Sequence, residues 1–228
     1  MKEKKFKQFS KGATAFLLVL FFAGITNAQT KVPEIEMVFV EGKDSVKAFP
    51  SNEYITIKSF YIGKYEITQK QWEAVMGENP SHFKNGDNYP VENVSWNDIQ
   101  EFISKLNAAT GKQYRLPAHV EWVYVARGGN KSQGYAFSGS NNRDDVGWYK
   151  DNSGGTTHPV GTKAHNELGI YDMYGNVSEW CADRMGDRYH IQMGCDFLSI
   201  LSENWLFKYG GIQSDMHEKS FGFRLAHP

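Results

Sequence analysis

The chain has 228 residues, 40% of them hydrophobic and 22% charged, a composition that suits one globular domain with a substantial core and excludes a disordered tail or a coiled coil. The formal net charge is −1. No Lys/Arg cluster interleaved with aromatics follows the first 28 residues, which argues against nucleic acid as a partner.

In chain order, Lys2, Lys4, Lys5, Lys7 and Lys11 lead into the apolar run Ala13 to Ile25, which ends at Thr26, Asn27 and Ala28. This pattern predicts a signal peptide over residues 1–28, cut after Ala28. The run falls short of the ~20 residues of a membrane-spanning helix, so no membrane span is expected after cleavage. No cysteine stands at the junction to carry a lipid. The mature domain would then be 29–228, periplasmic or secreted, with a net charge near −5 once five Lys and one Glu are removed.

Ile35 to Val40 and Tyr54 to Tyr61 read as two strands separated by a polar stretch with Gly42, Pro50 and Asn52. Thr68 and Gln71 have capping-box spacing, Trp72, Val75 and Met76 share one helical face, and Gly77 is placed to stop the helix. Ser95 and Asp98 form a second cap pair, before Ile99, Phe102, Ile103 and Leu106 at helical spacing and a stop at Thr110 and Gly111. A third helix is expected from Pro117 through Trp122, Val125 and Ala126, ending at Gly128 and Gly129. Beyond it the chain is rich in Gly, Asn, Asp and Ser, a region to be held by side-chain hydrogen bonds, aromatic packing or bound ions rather than long ladders. The architecture predicted is a single irregular α+β domain.

Ten strings in order carry a resemblance: Met37-Val-Phe-Val-Glu-Gly42, Phe60-Tyr-Ile-Gly-Lys-Tyr-Glu-Ile-Thr-Gln69, Pro90-Val-Glu-Asn-Val-Ser-Trp96, Tyr114-Arg-Leu-Pro117, Glu121-Trp122, Ala126-Arg-Gly-Gly129, His158-Pro-Val-Gly161, Gly169-Ile-Tyr-Asp-Met173, Gly175-Asn-Val-Ser-Glu-Trp180 and Gly222-Phe-Arg-Leu225. Together they resemble the sulfatase-modifying-factor family. The resemblance implies the formylglycine-generating-enzyme fold, related to the C-type lectin fold and low in regular secondary structure. That fold serves enzymes and non-enzymatic members alike.

In the family's oxidases two cysteines five residues apart bind copper(I), a metal suited to soft thiolates. Counting from Met193-Gly-Cys-Asp-Phe197 places Ser199 and Asn204 at those two positions, so no catalytic residues are assigned and copper is not expected. Cys195 replaces a glycine of the string, and Cys181 stands where relatives carry a buried cysteine. A disulfide between them is left open, since spacing alone cannot bring Cα atoms together.

By resemblance again, the loop Asp172 to Glu179 implies a structural calcium ion held by the side chains of Asp172 and Glu179 and the carbonyls of Gly175 and Val177. Hard oxygen ligands from an irregular loop suit calcium. The alternative is that Asp172 and Glu179 cap turns and pair with Arg224. A second family calcium site would fall near Asp145 to Gly154, with no ligands assigned.

Histidines 82, 119, 158, 165, 190, 217 and 227 show no pair at helical-turn spacing for an iron site, and no Gly-x-Ser-x-Gly elbow is present. Trp72, Trp96, Trp122, Trp148 and Trp180 fall in or near the family strings, where aromatics build the core. The segment Asp196 to Ser220, with Trp205, Leu198, Ile200, Leu201, Leu206 and Phe207, departs furthest from the family pattern. It is either a repacked core segment or a face for a protein or small-molecule ligand. The leading expectation is an exported, non-catalytic, calcium-stabilised binding or structural module. A divergent oxidase or oxygenase using Cys195 or dispersed histidines is the alternative, and docking of Phe197 to Phe207 on a larger assembly is a third.

Overall fold

The computed structural model describes residues 34–48, 51, 53–200 and 210–228. The predicted signal peptide, Asn204, Trp205, Leu201, Leu206 and Phe207 lie outside them. The strands are β1 (Met37–Val40), β2 (Lys43–Lys47), β3 (Tyr54–Ile57), β4 (Phe60–Gly63), β5 (Gly147–Trp148), β6 (Tyr174–Gly175), β7 (Ser178–Met185), β8 (Tyr189–Met193), β9 (Gly210–Gln213), β10 (Phe221–Gly222) and β11 (Ala226–His227). The helices are α1 (Gln69–Met76), α2 (Trp96–Thr110), α3 (His119–Ala126) and the single turn α4 (Arg143–Val146). Among the described residues no helix is long and apolar enough to cross a membrane. The fold is the irregular α+β, C-type-lectin-like arrangement expected.

Two sheets carry most of the order. One runs β1-β4-β11, with β4 central and antiparallel to both neighbours, so the first and last strands of the domain share a sheet. The other runs β10-β7-β8-β9. The run Tyr54 to Tyr61, read as one strand, is two: β3 ends at Ile57 and pairs with β2, whereas β4 starts at Phe60 and joins the larger sheet. β2 falls in the stretch read as a linker. Its sequence, Lys43-Asp-Ser-Val-Lys47, has no apolar alternation because it is largely exposed and is held by pairing with β3.

The helix ends follow local chemistry. Thr68 and Ser95 cap α1 and α2, each with its reciprocal partner, Gln71 and Asp98, and Gly77 and Gly111 close them in left-handed conformation. α3 starts two residues after Pro117. Its N-cap, Ala118, has no side-chain acceptor, so the Glu121 carboxylate takes the Ala118 N–H (2.8 Å) and Asp183, from β7, takes the His119 N–H (2.6 Å).

Two apolar clusters fill the interior. One gathers Ile67, Trp72, Ile99, Phe102, Leu106, Trp180 and Phe223. There the Trp72 and Phe102 rings stack at 5.0 Å and Phe223 meets both edge-on, pair geometries worth roughly 0.5–1.5 kcal/mol each beyond area burial. The other is built on Trp122, Tyr174, Ile62 and Met193 and contains both cysteines. Trp72, Trp122 and Trp180 are buried as expected and the partly buried Trp96 packs on the first cluster, while the partly buried Trp148 is stacked on His158 with Lys163 over its ring. β5 and β6 approach so closely that a Cβ on Gly147 would lie 2.1 Å from the Tyr174 carbonyl oxygen.

Candidate functional site

The loop Asp172 to Glu179 folds around a buried charged cluster. Arg224, fully buried, donates from Nε to both Glu179 oxygens (3.0 and 2.7 Å) and from Nη2 to Oε1 (2.6 Å). Its remaining donors reach the Gly63 and Tyr171 carbonyls. Trp122 Nε1 donates to Glu179 Oε2 at 2.8 Å. Asp172, held at φ +57°, accepts the Gly161 N–H at 2.7 Å.

Glu66 is the member that sequence reasoning missed, although it stands inside the string Phe60 to Gln69. Its carboxylate accepts from Asn176 Nδ2 (2.6 Å) and from the Val177 N–H (3.2 Å), and so fastens the loop to the strand region. Burial pushes Glu66 well above the usual carboxylate range, and the nearby negative charges of Asp172 and Glu179 push it further. Asp172 is pushed up to about 6, first by burial, against the lowering pull of the Gly161 N–H and Arg224.

Three buried carboxylates thus face one guanidinium, an excess of negative charge that a low-dielectric interior tolerates poorly. Oxygen donors of this kind suit a divalent hard cation by chemistry, but among the described residues these carboxylates are not placed together as a ligand group. Glu179, whose two oxygens already accept from Arg224 and Trp122, would have to share them. Glu179 is paired with Arg224, the arrangement foreseen as the alternative to an ion. In the stretch Asp145 to Gly154, Asp145 accepts from Ser140 Oγ and Asn142 Nδ2, as part of the turn entering α4.

Neither cysteine forms a disulfide, and both are buried. Burial, and then the charges of Asp183 and Glu179, hold the Cys181 thiol well above its usual range, so it stays protonated and a poor ligand for a soft metal. At Ser199, which the sequence resemblance sets at the first oxidase cysteine, the hydroxyl donates to Asp196 Oδ1 and accepts the Asp196 N–H, both at 3.0 Å. Asp196 also accepts from the Leu198 N–H and Ser178 Oγ. This turn sends Phe197 into the interior and leaves Leu198 43% and Ile200 77% exposed. The segment Asp196 to Ser220 thus opens with a core residue and two surface apolar ones. His190, stacked on Trp96 at 3.8 Å, has its pKa lowered by burial and by Arg184. Among the described residues no group of three or more His, Cys, Asp or Glu is placed to hold a metal ion.

The model of the sulfatase-modifying factor enzyme 1-like domain matches residues 23–228. A Paenibacillus barcinonensis protein named chaperone protein LppX is 39% identical over 223 residues, covering 73% of this chain and 79% of that protein. A formylglycine-generating enzyme of Thermomonospora curvata is 34% identical over 134 residues, 52% of this chain but only 41% of the enzyme. Among solved structures, Treponema denticola variable protein 1 superposes with a TM-score of 0.73 at 27% identity, covering 86% of this chain and 96% of that one. The chain belongs to the sulfatase-modifying factor enzyme 1-like domain family.

Proposed function

We propose that this chain is an exported, non-catalytic binding module of the family, stabilised by calcium, whose ligand is a protein engaged through the segment Asp196 to Ser220. The observation that carries this reading is Ser199. A hydroxyl tied into its own turn by Asp196 stands where the oxidases need a thiolate, and Cys181 and Cys195 are buried among apolar side chains. The relative named a chaperone, matched over most of its length, supports a protein ligand. The exposed Leu198 and Ile200 support the segment as its face.

Calcium, when bound, would supply positive charge to the Glu66–Asp172–Glu179 cluster and order the loop, with Asp172 and Glu179 by side chain and Gly175 and Val177 by carbonyl as its ligands. Arg224 fixes the orientation of Glu179, and Glu66 fixes the loop backbone at Val177.

The test is metal content by mass spectrometry on protein purified with and without chelator, beside conversion of cysteine to formylglycine in a sulfatase peptide. Calcium alone with no conversion is expected. Bound copper with conversion would overturn the proposal in favour of a divergent oxidase. N-terminal sequencing of exported protein, expected to begin at Gln29, checks the signal peptide. Suppression of aggregation of a chemically unfolded exported protein, lost in Leu198→Asp and Ile200→Asp, checks the face.

A further inference from the structure

A cavity of about 480 Å³ lies between β2, the second half of α3 and the turn that follows it, within the size range of small-molecule sites. It shares no residue with the Arg224 cluster or with the Asp196–Ser199 turn. Its floor is apolar, with Val46, Val120 and Val123, and its wall carries three cations, Lys43, Lys47 and Arg127, and no carboxylate.

That charge pattern is built by the backbone. The β2–β3 register shifts between Lys43 and Val46, and Ser45 is held at φ +57°, a conformation that L residues rarely adopt. The bulge turns the consecutive residues Val46 and Lys47 onto the cavity wall together with Lys43. The one β2 residue kept out of the wall is Asp44, whose carboxylate accepts from Thr56 Oγ1 at 3.0 Å. The nearby Glu41 carboxylate accepts from Asn130 Nδ2. Lys43 and Lys47, both exposed, make no ion pair among the described residues, and the two nearby carboxylates are engaged by Thr56 and Asn130 instead.

We infer that this cavity binds a small organic anion with an apolar body, its charged group held by Lys43 and Lys47 and its hydrocarbon lying on Val46, Val120 and Val123. An anionic group reached by the two ammonium groups gains charge-assisted contacts, and the apolar lining adds area burial.

The probe is octanoate, titrated calorimetrically into the full mature chain at low salt, with 1-octanol as the neutral counterpart. One saturable site is expected, with octanol at least tenfold weaker. Charge reversal in K43E/K47E should weaken octanoate at least tenfold, and Val123→Trp, which fills the cavity, should abolish binding. Circular dichroism melts establish that each variant is folded. K43Q/K47Q replaces the reversal pair if that pair unfolds, and should still weaken binding severalfold. Equal affinity for octanol, unchanged octanoate binding in the folded charge variants, persistence of binding in a folded Val123→Trp, or no binding to the wild type at millimolar octanoate would each overturn the inference. Formylglycine conversion and metal content do not enter this test, so its result is separable from that of the proposed function.

Discussion

Replacement of Arg224 by Met is the sharpest test of how this domain is held together. The change keeps most of the side-chain volume and removes the one cation that faces Glu66, Asp172 and Glu179. Glu179 is 1% exposed and cannot turn to water, and the Gly63 and Tyr171 carbonyls lose their guanidinium donors. Breaking a buried pair by removing one partner costs about 3–5 kcal/mol. Each carbonyl stripped of its donor adds on the order of 1 kcal/mol. Against a whole-domain stability of about 5–15 kcal/mol, Arg224→Met should leave the protein barely folded or unfolded at pH 7 in chelator. Urea melts followed by circular dichroism give the value. The second measurement is Arg224→Met with Glu179→Gln, which removes the stranded charge and keeps an acceptor for Trp122 Nε1. It should recover about 2 kcal/mol or more of the loss, a coupling expected of directly paired groups. A cost below about 1 kcal/mol for Arg224→Met, or a double variant no more stable than the single, would refute the account of the cluster as an electrostatic hub.

Ser95→Ala should cost about 1 kcal/mol in the same urea melts, because Ser95 Oγ caps α2 at the Asp98 N–H and also donates to the Asp98 carboxylate. Burial works to raise the Asp183 pKa, but the ring and main-chain N–H of His119 outweigh it, and the folded value lies below normal. The stability that Asp183 contributes is therefore present above the ordinary carboxylate value, about pH 4, and is lost as pH falls below it. Asp183→Asn should flatten the acid limb of a stability-versus-pH curve between about pH 5 and pH 2. Gly147→Ala should destabilise by about 1–3 kcal/mol or more, read as a lower thermal midpoint, since the added Cβ meets both the backbone carbonyl and the buried ring of Tyr174.

What could be read from the sequence was local. The caps Thr68–Gln71 and Ser95–Asp98 and the stops Gly77 and Gly111 lie within a turn or two of the residues they serve, and each was legible. The start of α3 was displaced because one of its two carboxylates, Asp183, is 64 residues away. β2 was invisible because it is polar and exposed, and an eight-residue β7 was not anticipated in a stretch judged too rich in turn formers. The ladder partners that stabilise both leave no local pattern. At the candidate site, Asp172 and Glu179 followed from the resemblance, and the Arg224 partner was foreseen as an alternative. Glu66 was not, since a glutamate in a strand-like string gives no sign that it will be buried against a loop 110 residues later.

The position of β11 sets the order in which the chain can fold. β4 pairs with residues 226 and 227, and its last residue Gly63 and the following Glu66 meet groups from residues 176–177 and 224. A chain that emerges N-terminus first presents the cluster's carboxylates before the guanidinium that anchors them. Closure of the domain therefore waits for residues 224–227, and contacts of such long sequence separation make it slow. Until then both apolar clusters lack members, Phe223 and Leu225 in one and Ala226 in the other, and their remaining side chains stay open to water and to any binding partner.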